Sequence, residues 1–462
     1  MSLDAKPATC PITIAQGADE ARRTILHRVP LGDEPLSDGE AAVIERLFGA
    51  ALGAEEAVRR IIREVRIEGD AGLRRISATI DGTAAEHALL ATPGEFARAR
   101  ALVDEETVRA LQAAAERVRS YHEQQLEHSL RSFESGGLGQ IVRPLHRVGL
   151  YVPGTTAVYP SSVLHTAIPA QVAGVDEVWI ASPVSPPSSD SAADAGAQIS
   201  PLKLVAAEIA GVHNVIKVGG AQAIAAMAYG TETIPAVDKI FGPGGRFVTL
   251  AKRQVYGDVG IDAIYGPTET VIVADDSANA ELVAADLLAQ AEHDPLAAPL
   301  LITPSLELAT AVADEIGSQA ADLERGGIAL QAFANRGGIA VVEDVDVALD
   351  LANEYAPEHL ALVVRDADKL VDRVRNAGGL FIGESSPEAL ADYTAGPSHV
   401  MPTGGSARFA SPLHVGEFLK ITSVVRASDE LLQEIAPHAA RIAHAEHLTA
   451  HARSLEIRQD DR

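Results

Sequence analysis

The chain has 462 residues, 47% of them hydrophobic and 22% charged, which is the composition of a globular protein with more than one domain. Its formal net charge of −26 argues against binding to nucleic acid or to anionic membrane surfaces. Cys10 is the only cysteine, so the chain can form neither an internal disulfide nor a thiolate metal cage. No signal-peptide pattern is present, and no apolar run approaches the roughly 20 residues that span a bilayer. We therefore expect a cytoplasmic protein.

The first third of the sequence predicts an arm followed by helices. Residues 1–37 contain four prolines that interrupt any long element, which indicates an irregular or loosely docked N-terminal arm. From Ser37 to about Gln140, apolar residues recur at three- and four-residue spacing, most clearly over 104–129. This spacing predicts a run of amphipathic helices.

From about Arg147 onward, short apolar runs alternate with helical stretches, a pattern typical of parallel sheets in α/β domains. The predicted strands are 148–152, 177–181, 215–218 and 239–241 in a first set, and 270–274, 299–302, 338–342, 360–364 and 379–382 in a second. Glycines follow the strands of the first set, as they would in a phosphate-binding turn or in an ordinary one. No G-x-G-x-x-G occurs at these turns, so the dinucleotide fingerprint is absent.

These patterns predict an α/β protein with two Rossmann-like parallel-sheet domains. One domain is discontinuous, with the helices of 38–146 packing together with the second strand set in 267–405. The other covers 147–266, and a helical tail at 406–462 follows. The run 182–201 is rich in Pro, Ser, Asp and Ala, which predicts a surface loop within the second of these domains.

A carboxylate and an imidazole are adjacent at Glu358 and His359, directly after Pro357. Unperturbed, the two groups have pKa values of about 4.3 and about 6.5, which suits general acid–base chemistry near neutral pH. The dipeptide alone is not specific, because Glu and His also occur side by side on many solvated helices. It is a candidate proton-transfer pair.

Further polar side chains have spacing that would suit a metal site. Gln290 and His293 are three residues apart in a predicted helix and share one face, although such pairs more often lie on a solvated edge. Asp392 and His399 lie in a predicted loop where neither is needed for packing. The C-terminal helix adds His444, Glu446, His447 and His451. An ordinary surface helix has the same composition, but nitrogen and oxygen donors without cysteine would suit a catalytic or substrate-orienting Zn²⁺.

Taken together, these segments resemble the histidinol dehydrogenase family from about residue 40 to 458. The motifs that carry the resemblance are RVGLYVPGTTAVYPSSVL, GGAQAIAAMAYGTE, DKIFGPGG, GPTE, LLAQAEHDP, NEYAPEHL, DYTAGPSHVMPTGG and AEHLTAH. The order of these motifs along the chain is highly specific for the family. It is weaker evidence for one particular substrate. The resemblance implies a zinc- and NAD-dependent homodimer, intertwined so that active sites are shared. It also implies four-electron oxidation of L-histidinol through L-histidinal to L-histidine, the last steps of histidine biosynthesis.

Matched motif by motif, the resemblance implies roles for individual residues. Glu358 and His359 match the catalytic pair. Gln290, His293 and Asp392 match zinc ligands, with His451 supplied by the partner subunit's tail. The implied substrate-binding residues are Thr268, Gln290, His293, His359, Asp392, His399, Glu446 and His451. The implied cofactor-binding residues are Tyr151, Gln222 and Gly245, which assigns residues 147–266 to NAD binding.

Three positions depart from the family pattern. Gly245 stands where the family usually has Asn, which removes a side-chain contact to the cofactor. Thr268 replaces the usual Ser and keeps the hydroxyl, and Ser398 replaces the usual Asn before the loop histidine. These departures and the 182–201 insertion bear on cofactor affinity and substrate choice, whereas the implied zinc and catalytic positions are intact.

Two alternatives compete with this interpretation. A paralogue could use the same machinery on another polar amino alcohol or diol, but Glu446 would suit the imidazole N–H of histidinol. A zinc-stabilised binding or scaffolding protein would not need both Glu358 and His359. Turnover of histidinol against a panel of alcohols distinguishes the three.

Overall fold

In a computed structural model, the described residues are 12–28, 35–84, 86–154, 158–184 and 198–460. Cys10 and most of the predicted loop at 182–201 lie outside them, so the prediction for that loop is not tested.

The described residues form alternating helices and strands. The helices are α1 (Ala18–Arg23), α2 (Asp38–Phe48), α3 (Ala54–Asp81), α4 (Pro93–Leu102), α5 (Glu105–Glu127), α6 (Pro160–Ala173), α7 (Pro201–Ile209), α8 (Gly220–Tyr229), α9 (Arg246–Val255), α10 (Ala280–Ala291), α11 (Leu306–Ala320), α12 (Gly326–Asn335), α13 (Val345–Tyr355), α14 (Glu388–Tyr393), α15 (Asp429–Ala445) and α16 (Thr449–Asp460). The strands are β1 (Ile14–Gln16), β2 (Phe133–Ser135), β3 (Leu138–Pro144), β4 (Arg147–Tyr151), β5 (Glu177–Ala181), β6 (Asn214–Ile216), β7 (Lys239–Phe241), β8 (Gly260–Ile261), β9 (Glu269–Ala274), β10 (Ala298–Thr303), β11 (Gly338–Val341), β12 (His359–Val363), β13 (Gly379–Ile382) and β14 (Leu419–Val425). Short 3₁₀ turns cover Ala367–Arg373, Ser406–Arg408 and Val415–Phe418.

Two parallel sheets organise the part of the chain that the structure describes. The six-stranded sheet has the order β1–β11–β10–β9–β12–β13, and the five-stranded sheet has the order β6–β5–β4–β7–β8. If β1 is left aside, each sheet has the strand order of a Rossmann fold. The second and third strands lie on one side of the first strand (β9 or β4), and the fourth and fifth lie on its other side. The predicted parallel-sheet α/β architecture is therefore confirmed, and the switch points lie between β9 and β12 and between β4 and β7.

Helices cover both faces of the six-stranded sheet, so most residues of its central strands are apolar. Every residue of β9 and β10 is buried. Neighbouring residues point to opposite faces: Val271 packs into one hydrophobic cluster and Ile272 into the other. The long Val/Ile/Leu runs in the sequence follow from this two-sided burial.

Helix starts in the first third are set by local sequence. Ser37 accepts a hydrogen bond from the main-chain N–H of Glu40, and the Glu40 carboxylate accepts one in return from the N–H of Ser37. Thr92 and Glu95 form the same reciprocal pair at the start of α4. Each capping box satisfies main-chain donors that the first turn of a helix leaves unpaired.

The prediction that helices extend to about residue 140 is wrong in its last part. Residues 133–144 form the hairpin β2–β3, which β14 extends into an antiparallel three-stranded sheet. Gly136 and Gly137 make the turn with φ of +58° and +79°, a conformation that favours glycine. The tail at 406–462 is accordingly a strand followed by helices, and is not helical throughout.

The predicted grouping of 38–146 with the second strand set is also corrected by the contacts. Helices α3, α4 and α5 pack on α8, α7 and α6, which flank the five-stranded sheet. Val58, Ile61 and Leu73 of α3 share a core with Ile224 of α8 and Ile240 of β7. Hydrophobic spacing showed that these helices have an apolar face, but it does not say which sheet that face covers.

The part of the N-terminal arm that the structure describes from residue 12 to 28 is docked more firmly than expected. Its strand β1 pairs in parallel with β11, with Ile14, Ala15 and Gln16 opposite Ile339, Ala340 and Val341. A three-residue strand is too short to show a period in the sequence, so the arm was predicted to be irregular.

The tail ends in two helices, α15 and α16, that pack against each other. Ile435, Ile442 and Leu448 are exposed on this helical pair. Among the described residues, no helix is long and apolar enough to cross a membrane.

Candidate active site

A cleft of about 1470 Å³ lies between opposite edges of the two parallel sheets. On one side it is lined by Gly154 and Gly244, which follow β4 and β7 at the carboxyl edge of the five-stranded sheet. On the other side it is lined by Thr268 and Glu358, which precede β9 and β12 at the amino edge of the six-stranded sheet. Ligands of open α/β sheets usually bind at a carboxyl edge. Here the cleft joins that edge of one sheet to the opposite edge of the other.

Helix ends also surround the cleft. Helices α10 and α13 end there, shortly before His293 and Glu358. Helices α6 and α9 begin there, with the lining residues Ser161 and Arg246 in their first turns. The helices next to the six-stranded sheet therefore end at the cleft, whereas the helices next to the five-stranded sheet begin at it.

A short turn delivers the acid–base pair to the start of β12. Helix α13 ends at Tyr355, and the next residue, Ala356, has φ of +52° in the left-handed region. Pro357 follows and cannot donate a main-chain hydrogen bond to extend the helix. Glu358 and His359 then come directly before and at the first residue of the strand, and both are buried.

Two donors hold the Glu358 carboxylate. Thr268 Oγ1 donates to Glu358 Oε2 at 2.6 Å, and the main-chain N–H of Glu269 donates to the same oxygen at 3.1 Å. Burial raises the pKa of Glu358 well above its usual range, and the Thr268 hydrogen bond opposes that rise only in part. This carboxyl therefore keeps its proton to higher pH than an exposed glutamate, and its carboxylate is a stronger base.

The hydrogen bonds of His359 define its tautomer. Nδ1 lies 3.3 Å from the main-chain oxygen of Glu269, and because a carbonyl only accepts, Nδ1 carries the proton. Nε2 is buried and has no hydrogen-bond partner among the described residues. Burial lowers the pKa of His359, so the neutral ring with a free lone pair is favoured. The nearest oxygen of Glu358 lies 3.8 Å from Nδ1, which makes the two groups neighbours with separate hydrogen bonds.

Gln290, His293 and Asp392 all line the cleft. Gln290 Nε2 donates to Asp392 Oδ2 at 3.3 Å, and Gln290 Oε1 lies 3.4 Å from Thr268 Oγ1. The His293 ring stacks on Tyr159 with centroids 6.3 Å apart. Amide, imidazole and carboxylate donors of this kind fit a zinc ion with open positions. No group of three or more His, Cys, Asp or Glu is placed to hold a metal within the described part of this chain.

His399 lies against the wall of the cleft with both ring nitrogens engaged. Nδ1 donates to the main-chain oxygen of Asp392 at 2.8 Å, so Nε2 accepts from the hydroxyl of Ser162 at 2.9 Å. The ring stacks on His165 with centroids 4.3 Å apart. Burial lowers the pKa of His399, which leaves it neutral and fixed in place.

The tail residues do not reach the cleft of their own chain. Glu446 and His451 are exposed and are not among its lining residues. His444 instead lies 2.8 Å from the carboxylate of Glu456, where α15 and α16 meet. The residues that the sequence predicts for the active site are therefore divided between the cleft and the exposed surface of the C-terminal tail.

Of the three predicted cofactor positions, Gly245 lines the cleft and the other two do not. The Tyr151 hydroxyl accepts a hydrogen bond from the N–H of Gly220 at 3.0 Å, and burial raises its pKa to about 12. Gln222 is fully buried, with Nε2 3.5 Å from Asp81 Oδ2 and Oε1 without a partner among the described residues. These two side chains lie beneath the carboxyl edge of the five-stranded sheet.

Several residues that shape the site escaped the sequence reasoning. His165 and Ser162 support His399 from α6, and Ser398 Oγ donates to the main-chain oxygen of His165 at 3.0 Å. A signal was present, because polar residues on this largely apolar and mostly buried helix need hydrogen-bond partners. Glu388 is a buried acid that accepts from Thr270 Oγ1 at 2.5 Å, and burial raises its pKa well above the usual range.

Two Rossmann-ordered sheets, a cleft between them and a buried carboxyl–imidazole pair in that cleft are features of an α/β enzyme. Comparison with known proteins is more specific. The sequence model of the family described as histidinol dehydrogenase matches residues 50–459. The chain belongs to the histidinol dehydrogenase family, as the motifs indicated.

Individual relatives agree over nearly the whole length. The histidinol dehydrogenase of Deinococcus radiodurans is 49% identical over 448 residues, which is 96% of this chain and 99% of that protein. The one from Moorella thermoacetica is 47% identical over 433 residues, covering 92% and 100%. The crystal structure of histidinol dehydrogenase from Elizabethkingia anophelis superimposes with a TM-score of 0.86 at 30% identity, covering 98% of this chain and 99% of that one.

Proposed function

We propose that the protein oxidises L-histidinol to L-histidine through L-histidinal, with NAD as the hydride acceptor and one zinc ion per subunit. The observation that carries this proposal is the free, buried Nε2 of His359 beside the Glu358 carboxyl. It lies in a chain that belongs to the histidinol dehydrogenase family.

His359 performs the first proton transfer. Its Nδ1–H is held by the main-chain oxygen of Glu269, so Nε2 presents the lone pair that accepts the hydroxyl proton of the alcohol. A neutral ring is required, and burial favours it by lowering the pKa of His359. NAD, when bound, accepts a hydride in each of the two oxidation steps.

Glu358 performs the second proton transfer. Oxidation of the aldehyde to the acid needs a water molecule as the source of the second carboxyl oxygen of the product. The carboxylate of Glu358 deprotonates that water. Thr268 and the N–H of Glu269 aim one oxygen of the carboxylate and leave the other without a bond from these two donors. Burial raises the pKa of Glu358, which makes the ionised carboxylate a stronger base than an exposed one.

Gln290, His293 and Asp392 would hold the zinc, together with the partner subunit's His451. When bound there, the ion would supply a positive charge to which the amine and imidazole nitrogens of the substrate could bind. Glu446 and His451 are exposed at the end of a helical tail and do not reach their own cleft, which supports a homodimer that exchanges tails. The partner's Glu446 would then contact the substrate imidazole.

The test is NADH formation by the purified, zinc-loaded protein with L-histidinol, compared with a panel of other amino alcohols and diols. We expect turnover with L-histidinol and two NADH per histidine formed. Turnover only with another alcohol would identify a paralogue. Zinc binding without turnover on any alcohol would refute the proposed function.

A further inference from the structure

Arg28 of the N-terminal arm reaches the amino edge of the six-stranded sheet. Its Nε and Nη2 atoms donate to the two carboxylate oxygens of Glu269 at 2.6 and 2.7 Å, the parallel geometry that an arginine fork gives. Nη1 donates to the main-chain oxygen of Tyr355, and the guanidinium carbon lies 3.5 Å from the centroid of the Tyr355 ring. One side chain therefore joins the start of β9 to the end of α13.

These two segments carry the acid–base pair. The main chain of Glu269 donates to Glu358 and accepts from His359, so its position sets the direction of both catalytic side chains. Tyr355 closes the helix that leads into the same pair. Arg28 touches neither catalytic side chain, but it bonds the residues that hold them.

The turn after α13 needs an external support. Ala356 adopts φ of +52°, a conformation that residues with a Cβ rarely adopt. Arg28 bonds the carbonyl of Tyr355 on one side of this turn, and its Nη2 lies 3.5 Å from the oxygen of Ala356 itself. The fixed fork of a guanidinium can make all of these contacts at once, whereas an ammonium cannot.

Arg28 also lines the cleft, so a direct role in binding an anion has to be weighed. Each of its three nitrogen atoms already has an acceptor within the protein. Its side chain is three-quarters buried between the arm and the sheet. An arginine so engaged is suited to holding protein segments in place.

We propose that Arg28 is a positioning residue for the reaction. By tying Glu269 to the 355–356 turn, it fixes the geometry and the tautomer of His359 and the direction of Glu358. Docking of the arm then becomes a condition for catalysis. The inference rests on the proposed function in so far as Glu358 and His359 are the proton-transfer groups.

Three variants test the proposal. Arg28→Ala removes the fork, Arg28→Lys keeps a charge without the fork, and Glu269→Gln keeps the size of the acceptor without its charge. A catalytic group displaced by about 1 Å can cost about 100-fold in rate. We expect kcat for histidinol to fall about 10- to 100-fold in Arg28→Ala and less in Arg28→Lys, with KM changed less than about twofold. Added guanidinium at non-denaturing concentration should restore part of kcat in Arg28→Ala and none in Glu269→Gln.

Arg22→Ala is the matched control. Arg22 lies on the same arm and donates to Glu354 of the same helix at 2.8 Å, but the contact is exposed and far less buried than that of Arg28. We expect it to leave kcat unchanged within about twofold, since exposed ion pairs contribute little. If Arg28→Ala and Arg22→Ala lose activity and thermal stability equally, the role of Arg28 is only structural and the proposal is overturned.

A spectroscopic measurement keeps the inference separate from the proposed function. With ¹⁵N-labelled histidine, the His359 ring signals are those absent from His359→Gln, and their shifts report which nitrogen carries the proton. We expect protonated Nδ1 in the parent and in Arg22→Ala, and a mixture of tautomers in Arg28→Ala. Unchanged shifts in Arg28→Ala would overturn the inference whether or not the parent oxidises histidinol. Absence of histidinol turnover by the parent would count against the proposed function alone.

Discussion

Thr268 and Glu358 are 90 positions apart in the chain, and the hydroxyl of the first donates a 2.6 Å hydrogen bond to Oε2 of the second. The same hydroxyl lies 3.4 Å from Gln290 Oε1. One side chain therefore links the acid–base pair to the proposed zinc ligands. It is also one of the positions where this chain departs from the family pattern.

Replacing Thr268 by Ala should slow the aldehyde step. The carboxylate of Glu358 loses the hydroxyl donor that aims Oε2, and a misplacement of about 1 Å can cost about 100-fold, so we expect a loss of roughly 10- to 100-fold in rate. Thr268→Ser keeps the hydroxyl and should stay close to the parent. Steady-state kinetics with L-histidinal as substrate measures the effect, and equal losses in both variants would show that the methyl group matters more than the hydroxyl.

Glu358→Gln should separate the two oxidations. The amide keeps the shape of the side chain but cannot deprotonate water, whereas His359 still accepts the alcohol proton. We expect most of the alcohol step to survive and the aldehyde step to be blocked, as measured by single-turnover NADH formation from each substrate. Equal losses in both half-reactions would contradict the division of roles between Glu358 and His359.

The two steps should depend differently on pH. The alcohol step needs neutral His359, and burial lowers the pKa of that ring, so its rate should fall only below the ordinary value of about 6.5. The aldehyde step needs ionised Glu358, and burial raises that pKa, so its rate should rise through a midpoint above the ordinary value of about 4.3. The rate of each half-reaction, measured separately as a function of pH, checks the direction of both expected changes. In Thr268→Ala, the midpoint of the aldehyde step should move to still higher pH, because the hydrogen bond from Thr268 that lowers the pKa of Glu358 is lost.

Gly245→Asn should strengthen NAD binding. A Cβ at Gly245 meets nothing within 4 Å and the backbone has φ of −64°, so the family's usual Asn fits without strain. We expect KM for NAD to fall severalfold, on the order of one hydrogen bond. Gly244→Ala is the contrasting variant, because a Cβ there would lie 2.4 Å from Val248 Cγ1. An unchanged KM in Gly245→Asn would place the cofactor elsewhere.

Mixed dimers test whether tails are exchanged. A subunit with His451→Ala keeps its own Glu358 and His359, and a subunit with Glu358→Gln and His359→Ala keeps a complete tail. After the two inactive proteins are mixed and subunit exchange is confirmed by mass, some activity should return. Persistent inactivity of confirmed mixed dimers would mean that His451 does not act across the interface.

The parts of this fold that the sequence predicts are those that repeat locally. Nine of the eleven strands described in the two parallel sheets match predicted ranges within one or two residues, because buried strands such as β9 and β10 leave long apolar runs. The short strands β1 and β8 were not predicted. Helices α3 to α5 were recognised but assigned to the other sheet, since an apolar stripe does not identify its partner. The hairpin at Gly136 and Gly137 had a recognisable turn signal that the helical pattern on either side obscured.

Only those residues of the candidate site that belong to the family motifs could be predicted from the sequence. One cleft is lined by Glu358, His359, Gln290, His293 and Asp392, and the roles that the motifs imply for them stay predictions. The supporting contacts were not predictable, because Arg28 and Glu269 are 241 positions apart and each looks like an ordinary surface charge in the sequence. Only the fold shows that they meet.

The opposed edges of the two sheets give the cleft an electrical polarity that owes nothing to charged side chains. Helices α10 and α13 turn their carbonyl ends toward it, each equivalent to about half a negative charge, while α6 and α9 turn their N–H ends toward it with about half a positive one. The wall that ends in carbonyls favours a cation such as a metal or an amine. The wall that begins in N–H groups favours phosphate. The backbone alone thus assigns each kind of ligand to its own side of the cleft.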